Sequence, residues 1–375
     1  MKVFMFPGQG SQSKGMGAAL FDEFAQLTEQ ASNLLGYSIR ELCLQDPRQE
    51  LNRTQFTQPA LYVVNALSYL KKSQELGRPD FLVGHSLGEF NALQASGAFD
   101  FATGLELVRR RGELMAQVSS GGMAAILNAT KQEIEDTLKR NGLHNIDLAN
   151  YNTPTQIVIS GQADEVSRAQ EFFQQGKMRF YPLNTSGAFH SRFVRGAQDQ
   201  FREFLARFSF GKLTIPVIAN TTARPYEDGS IHGPLANQIA STVRWSESIQ
   251  YLLAQGLKRR EPEFTEVGHS DVLTKLFFTI KQQTPESALA AYLVPEVDAD
   301  LVPGQNGEPA PARTAAEKVA AWNRKYSIGT HVKSLSLDYP PLQTRTEAMV
   351  LFSHRAAVYM KGYNGYFDLD ELTPA

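Results

Sequence analysis

Short apolar runs alternate with longer segments of helical spacing through most of the chain. Val3 to Phe6 is apolar at every position and stops at Pro7 and Gly8, as expected of a strand buried on both faces. Helical periodicity predicts helices from Gly17 to Leu35 and from Pro59 to Leu76, followed by a second buried strand at Phe81-Leu82-Val83 and a helix from Glu89 to Ala95. This alternation is that of an α/β sheet. From Met123 the units shorten. Ala124 to Leu127 reads as a strand, Thr130 and Glu133 form a capping box opening a helix to Arg140, and short strands are expected at Ile146 to Ala149 and Gln156 to Ser160. A helix from Asp164 to Gln175 and a strand from Met178 to Leu183 complete a β-α-β-β-α-β order, which suggests a ferredoxin-like insert over residues 123–186.

The larger domain, residues 1–122 and 187–294, then resumes with a strand at Leu213 to Asn220, helices at Gly233 to Ala240 and Ser246 to Gln255, a strand at Glu263 to Val267 and a helix at Val272 to Gln282. A cleft between it and the insert is the natural place for a site. Pro295 to Pro311 is rich in Pro, Gly and Ala, so residues 295–320 read as a linker. Residues 321–375 hold β-prone runs at Gly329 to Val332 and Ala356 to Met360, with turns at Asp338 to Pro341 and Tyr363 to Tyr366, and read as a small β-rich module.

Composition narrows the function. Over 375 residues, 37 Lys and Arg stand against 39 Asp and Glu, a net charge of −2, which gives no electrostatic case for nucleic acid or an anionic membrane as partner. The single cysteine, Cys43, excludes an intrachain disulfide and reads as a core residue. No Cys/His cluster has zinc spacing, so neither a metal nor a cofactor is expected. No apolar run reaches membrane-spanning length, and the apolar start is too short for a signal peptide, so a cytoplasmic protein is expected.

The chemistry gathers at Gly84-His85-Ser86-Leu87-Gly88, between the second strand and its helix. Flanking glycines let the backbone turn tightly under Ser86, leaving its hydroxyl exposed beside the N-terminal amides of the helix, the arrangement of a nucleophile elbow for acyl transfer. Gly268-His269-Ser270-Asp271 repeats the tripeptide but carries Asp271 where the second glycine belongs, so Ser270 reads instead as a helix cap before Val272. A serine needs a base, and among seven histidines His190 is the candidate, because it follows the last strand of the insert where the chain re-enters the larger domain. From position alone, a buried histidine bonded to backbone is an equal reading. An oxyanion needs donors: the Leu87 amide is one, and the loop at Gln9 suits the second, although Gly8 and Gly10 would serve a plain turn equally well. Of Arg109, Arg110 and Arg111, the first two read as a solvated helix face.

Phe6-Pro7-Gly8-Gln9-Gly10-Ser11-Gln12, Thr57-Gln58-Pro59-Ala60-Leu61, Gly84-His85-Ser86-Leu87-Gly88-Glu89, Arg109-Arg110-Arg111-Gly112, Gly187-Ala188-Phe189-His190-Ser191 and Val243-Arg244-Trp245 occur in one order and spacing. That set resembles the malonyl-CoA:acyl carrier protein transacylases over about residues 1 to 285. The resemblance implies an α/β-hydrolase-like domain with a ferredoxin-like insert, Ser86 as nucleophile, His190 as base, the amides of Gln9 and Leu87 as oxyanion hole, and the backbone carbonyl of Gln238 orienting His190. It also implies that Arg111 holds the free carboxylate of a malonyl group, by a bidentate geometry that lysine lacks. Phe189 stands in a segment that resembles the malonyl-selective form in polyketide synthase acyltransferases, where it would crowd an α-methyl. Gly268-His269-Ser270 departs from the family's usual Gly-Pro-Gly. The region from Thr344 to Phe367 resembles segments accompanying free-standing acyltransferases of polyketide pathways. The implied partners are malonyl-CoA as substrate and an acyl carrier protein or carrier domains of a modular synthase, the phosphopantetheine being the partner's own. Two other readings stay open: a hydrolase clearing carrier proteins, for which Arg111 has no use, and a silent docking subunit, for which Ser86, His190 and Gln9 have none.

Overall fold

A computed structural model describes the chain apart from residues 119–120, 186, 228, 258–260, 294–314, 335–341, 352–354, 364–365, 370–371 and 375. It divides into two compact units, Met1–Pro295 and Glu296–Ala375.

In the first unit, β1 (Lys2–Phe6) leads through α1 (Ala18–Glu23), α2 (Ala25–Leu35), α3 (Ile39–Leu44) and α4 (Thr54–Leu76) to β2 (Phe81–Gly84), α5 (Gly88–Ala95) and α6 (Phe101–Ala116). Then come β3 (Gly122–Leu127), α7 (Lys131–Arg140), β4 (Ile146–Thr153), β5 (Gln156–Gly161), α8 (Ala163–Phe173) and β6 (Arg179–Pro182). The unit closes with α9 (Arg195–Leu205), β7 (Val217–Ile218), α10 (His232–Asn237), α11 (Trp245–Leu257), β8 (Glu263–Glu266), α12 (Val272–Gln283) and α13 (Glu286–Leu289).

The apolar runs are continuous because the sheet they form is covered on both faces. Four parallel strands lie in the order β7-β2-β1-β8. Phe4, Phe6, Leu82 and Val217 point into a core completed by α4, α5, α6 and α9. Val3, Met5, Phe81, Val83 and Ile218 point the other way, against Trp245, Ile249 and Leu252 of α11 and Leu273 and Phe277 of α12. The period of two along each strand thus feeds two separate cores.

The residues between β3 and β6 form an antiparallel sheet ordered β4-β5-β3-β6, with α7 and α8 packed through Ile134, Leu138, Val166 and Phe173 against Ala124, Ile126 and Ile159. The expected capping box is present: Thr130 accepts from the Glu133 amide while the Glu133 carboxylate accepts from the Thr130 amide. β4 continues past the expected Ala149 to Thr153, and its register shifts at Leu148/Asn150 and Tyr151/Thr153. There it exchanges backbone bonds with Val243, from Tyr151 N to Val243 O (2.9 Å) and from Val243 N to Ala149 O (2.8 Å), which fastens the insert to the chain just before α11.

Several expected boundaries move for local reasons. The single helix from Gly17 to Leu35 is two, broken at Phe24, whose ψ of 48° leaves the helical region. α4 starts at Thr54, and Pro59 lies inside it. The strand expected from Leu213 to Asn220 contracts to Val217–Ile218, since Pro216 has no amide to donate and the Ile215 amide turns to Ser96 Oγ (3.0 Å). Cys43 is a core residue of α3, and burial pushes its thiol up to about 12. No described helix is long and apolar enough to cross a membrane.

The second unit has α14 (Ala315–Lys325), β9 (His331–Ser334), β10 (Leu342–Gln343), β11 (Met349–Leu351), β12 (Arg355–Tyr359), β13 (Tyr366–Asp368) and β14 (Leu372–Pro374). Two antiparallel sheets, β10-β9-β14 and β11-β12-β13, share a core of Val332, Leu342, Ala356, Val358 and Met360, against which Val319 and Trp322 of α14 pack. α14 begins inside the segment expected as linker; its apolar Ala315, Val319 and Trp322 recur at helical spacing. The Pro-rich run from Pro295 to Pro311, the turn at Asp338 to Pro341 and the centre of the turn at Tyr363 to Tyr366 lie outside the described residues.

α5 crosses the end of β1 so closely that a Cβ on Gly88 would stand 2.0 Å from Phe6 O. Gly88→Ala should therefore lower unfolding stability by about 1–3 kcal/mol or more, as backbone has to give way. Gly196→Ala, facing open space on α9, should be neutral or stabilising by up to about 1 kcal/mol. Urea midpoints of the two variants check the contrast; equal losses would contradict it.

Candidate active site

Ser86 sits between β2 and α5 with φ +51°, a left-handed conformation that a non-glycine residue holds only when its surroundings impose it. Here they do. A Cβ on Gly84 would lie 2.0 Å from the Gly88 carbonyl carbon, so both flanking glycines are required by backbone crossing backbone. The Ser86 amide donates to Asn220 Oδ1 (2.8 Å), and Asn220 Nδ2 donates to Gly84 O (2.6 Å), which clamps the turn from the loop after β7.

His190 meets the hydroxyl: Ser86 Oγ and His190 Nε2 are 2.8 Å apart. On the far side of the ring, Nδ1 lies 2.9 Å from Gln238 O and 3.2 Å from Ser241 O. A carbonyl only accepts, so Nδ1 carries the proton and Nε2 is the free acceptor for the serine proton. Burial, helped by the nearby Arg111 cation, pulls His190 down to about 3, so the imidazole is neutral throughout the physiological range. His190 also has a positive φ of +56°, and its amide is held by Ile239 O (3.1 Å).

Arg111 projects from α6 and is 1% exposed, unlike Arg109 and Arg110, which are partly exposed and pair with Glu113. Its Nη1 donates to Gln58 Oε1 (2.7 Å), and its Nη2 to Ser86 Oγ (3.1 Å) and Gln238 Oε1 (2.8 Å). Its buried Nε has no partner among the described residues, and the guanidinium lies 5.6 Å from the Phe90 ring centroid. Burial lowers Arg111 to about 10, which leaves it protonated at neutral pH. A buried cation beside a serine–histidine pair can hold an anionic group by charge-assisted hydrogen bonds.

The Gln9 loop follows β1. A Cβ on Gly8 would lie 3.5 Å from the Leu87 amide nitrogen, so the loop and the N-terminus of α5 are neighbours. Asn65 Nδ2 holds Pro7 O (2.9 Å), and Gln9 Nε2 donates to Thr54 Oγ1 (3.2 Å). A cavity of about 510 Å³ opens here, lined among others by Gln9, His85, Asn152, Leu273 and Leu276. A second, of about 560 Å³, reaches His190 and Ser241 from the insert side, past His144 and Tyr151.

The structure thus brings together Ser86, His190, Arg111 and Gln238, with Gln9 and Leu87 alongside. Phe189 is 4% exposed, in the same core as Leu87 and Phe90, and lines neither cavity. His85 turns away from Ser86, to Asn152 Oδ1 (2.9 Å), and His232 donates to Phe208 O (2.8 Å). Ser270 is not the helix cap: its hydroxyl donates to Glu266 Oε1 (2.7 Å), while the Glu266 carboxylate takes the Thr274 amide (2.8 Å) at the start of α12. The longer carboxylate reaches into the first turn and satisfies the amide that Ser270 would have capped. Sequence reasoning missed Asn220, Gln58, Tyr226 and Glu89 as parts of the site. Glu89 directly follows Gly88 of the serine turn, and that place in the sequence is the signal that could have found it; its burial shows only in the structure.

Residues 3–304 match the acyl transferase domain. The chain belongs to the acyl transferase domain family. The polyketide biosynthesis malonyl CoA-acyl carrier protein transacylase BaeC of Bacillus velezensis is 54% identical over 290 residues, 76% of this chain and 99% of that protein. The crystal structure of a malonyl CoA-acyl carrier protein transacylase from Burkholderia pseudomallei superposes with a TM-score of 0.75 at 61% identity, covering 76% of this chain and 99% of that one. A malonyl-transacylase solved in complex with a type II PKS acyl-carrier protein gives a TM-score of 0.70 at 31% identity, covering 78% and 98%.

The depressed His190 has a consequence for stability. The unfolded chain takes up a proton at this histidine below pH about 6.5 and the folded chain does not until about 3, so stability falls as pH drops through that window. His190→Asn, in which Asn tolerates the left-handed backbone, should shrink the stability difference between pH 7 and pH 5 by about 2 kcal/mol. Urea titrations at the two pH values measure it, and an unchanged difference would mean that His190 is not buried neutral.

Proposed function

We propose that this acyltransferase moves a malonyl group from malonyl-CoA, through an ester on Ser86, to the phosphopantetheine thiol of an acyl carrier protein, in polyketide biosynthesis. The observation that carries the reading is the buried Arg111 guanidinium 3.1 Å from the Ser86 hydroxyl, which is itself 2.8 Å from a neutral histidine. A fixed cation there has a use when the acyl group ends in a carboxylate. Hydrolysis of neutral acyl groups would leave it idle, and a docking subunit would need no aligned serine–histidine pair.

In the first half-reaction Ser86 Oγ attacks the thioester carbonyl while Nε2 of His190 takes its proton. The tetrahedral oxyanion is held by the amides of Leu87 and Gln9, the former at the N-terminus of α5. Collapse breaks the carbon–sulfur bond, and His190 returns the proton to the departing CoA thiolate. The carrier's thiol then enters, gives its proton to His190 and takes the malonyl group by the reverse path, restoring Ser86. Gln238 O keeps the imidazole in the required tautomer and receives its Nδ1–H throughout, in the place a carboxylate often takes. No metal or cofactor is called for.

The larger domain is read as α/β-hydrolase-like, supported by the parallel sheet with its serine turn after β2, and the insert as ferredoxin-like, supported by its β-α-β-β-α-β order. Phe189 is read as disfavouring an α-branched acyl group from the core behind the base, where its bulk limits how far the site wall can yield, a discrimination of about 1–3 kcal/mol for one methyl. The malonyl CoA-acyl carrier protein names of the relatives and the carrier complex support the two partners. A CoA thioester donor supports a cytoplasmic setting for the activity.

Incubation with radiolabelled malonyl-CoA should leave a protein-bound label that maps to the peptide carrying Ser86 and is absent in folded Ser86→Ala. A label of equal yield in that variant, or one on Ser270, would overturn the assignment.

Arg111→Ala should invert the substrate preference. Malonyl transfer loses a charge-assisted pair, on the order of 2–5 kcal/mol in a buried setting, while acetyl transfer holds or rises. Parallel rates with malonyl-CoA and acetyl-CoA decide it; equal losses would make Arg111 structural.

A further inference from the structure

Behind the serine–histidine pair stands a buried acid that the mechanism leaves unused. Glu89, at the second position of α5, is 1% exposed. Its Oε1 accepts from the Tyr226 hydroxyl (2.6 Å) and the Asn220 amide (3.0 Å), and its Oε2 accepts from Gln238 Nε2 (2.5 Å). Gln238 Nε2 donates as well to Ser86 O (2.7 Å).

These partners settle which way the Gln238 amide points. A main-chain carbonyl can only accept, and so can a carboxylate, so the NH₂ end must face Ser86 and Glu89. The oxygen end is thereby turned toward Arg111, where Oε1 accepts from Nη2 at 2.8 Å. With the amide reversed, an NH₂ group would face a guanidinium, donor against donor, inside a buried site. The route to Arg111 runs through the Gln238 side chain. The route to the base does not, because His190 rests on the Gln238 and Ser241 main-chain carbonyls. Asn220, which clamps the elbow, has its own anchor at Gly84 O.

Resting on the transferase reading above, we propose that Glu89 is a positioning and specificity-determining residue: by locking the Gln238 amide it aims the Arg111 guanidinium at the free carboxylate of the acyl group. Glu89 touches neither the substrate nor the atoms exchanged at Ser86. Its removal acts on acyl groups that carry a carboxylate far more than on neutral ones of similar size. It also supplies the negative charge that a buried arginine otherwise lacks until an anionic acyl group arrives, since Gln58 and Gln238 offer only neutral oxygens. Burial pushes the Glu89 carboxyl up to about 7. When it takes a proton, Tyr226 is the one partner whose hydroxyl can turn from donor to acceptor, while Asn220 N–H and the Gln238 NH₂ keep donating, so the amide orientation survives protonation.

The test measures initial rates of Ser86 labelling in the full chain with radiolabelled malonyl-CoA and acetyl-CoA. Glu89→Ala should lower the malonyl-to-acetyl rate ratio by about tenfold or more, mostly through the malonyl rate. Glu89→Gln, which still offers an oxygen to Gln238, should restore much of the ratio. Gln238→Ala should show the same loss as Glu89→Ala, and the double variant no more than either alone, because both act on one chain of contacts. A folded Glu89→Ala protein with the wild-type ratio, or a double variant whose loss is the product of the two single losses, overturns the proposal. Glu89→Met, which keeps the volume without a strong acceptor, gives the same reading if alanine prevents folding. An unlabelled wild-type chain would instead overturn the transferase reading, and this role with it.

Discussion

The crossing of three backbone segments at Gly84, Gly88 and Phe6 is the constraint on which the site depends. β1 and β2 pair in register from Val3 and Phe81 to Phe6 and Gly84, and α5 starts where they end, with room for hydrogen and nothing larger at the two glycines. That contact forces Ser86 into its left-handed turn and brings the amide of Leu87 beside the loop after β1. Two sheet strands, the nucleophile and both proposed oxyanion donors are therefore placed by one packing event. The two cores on either side of the sheet hold it rigid, so the geometry does not rely on the loops themselves.

Charge management is the second organising theme. Arg111 and His190 share a buried space, and the arginine adds to burial, the larger cause, in keeping the imidazole neutral. A neutral base is what abstraction of a serine proton requires. The same burial that readies His190 makes Arg111 demanding, with one nitrogen unpartnered among the described residues and otherwise neutral acceptors, and Glu89 stands behind it at one amide's remove.

Much of this was legible in the chain. The buried strands, the serine turn and the order of the insert follow from apolar period and glycine placement, and Thr130 with Glu133 announced their helix by capping chemistry. His190 could be nominated from its place after the insert, but its contact with Ser86 spans 104 positions and no local pattern encodes it. Gln238 and Arg111 entered through family resemblance, for the same reason. Asn220, Tyr226 and Gln58 escaped because each acts through hydrogen bonds to partners on distant elements, and polar residues of those types are commonplace in loops and helices. The break at Phe24 and the contraction of β7 after Pro216 are local backbone effects that an apolar pattern does not register, whereas the cap supplied by Glu266 in place of Ser270 comes from a residue eight positions before the amide it satisfies.

The positive φ of Ser86 narrows which nucleophiles this scaffold can ever carry. A β-branched side chain in the left-handed region clashes with its own backbone, so threonine is barred there although its hydroxyl chemistry matches that of serine. Cysteine, unbranched and of similar reach, fits the same backbone. The sharp turn that exposes the hydroxyl thus divides the chemical alternatives by shape before reactivity is considered, and leaves the fold a choice between oxygen esters and thioesters on one and the same atom position.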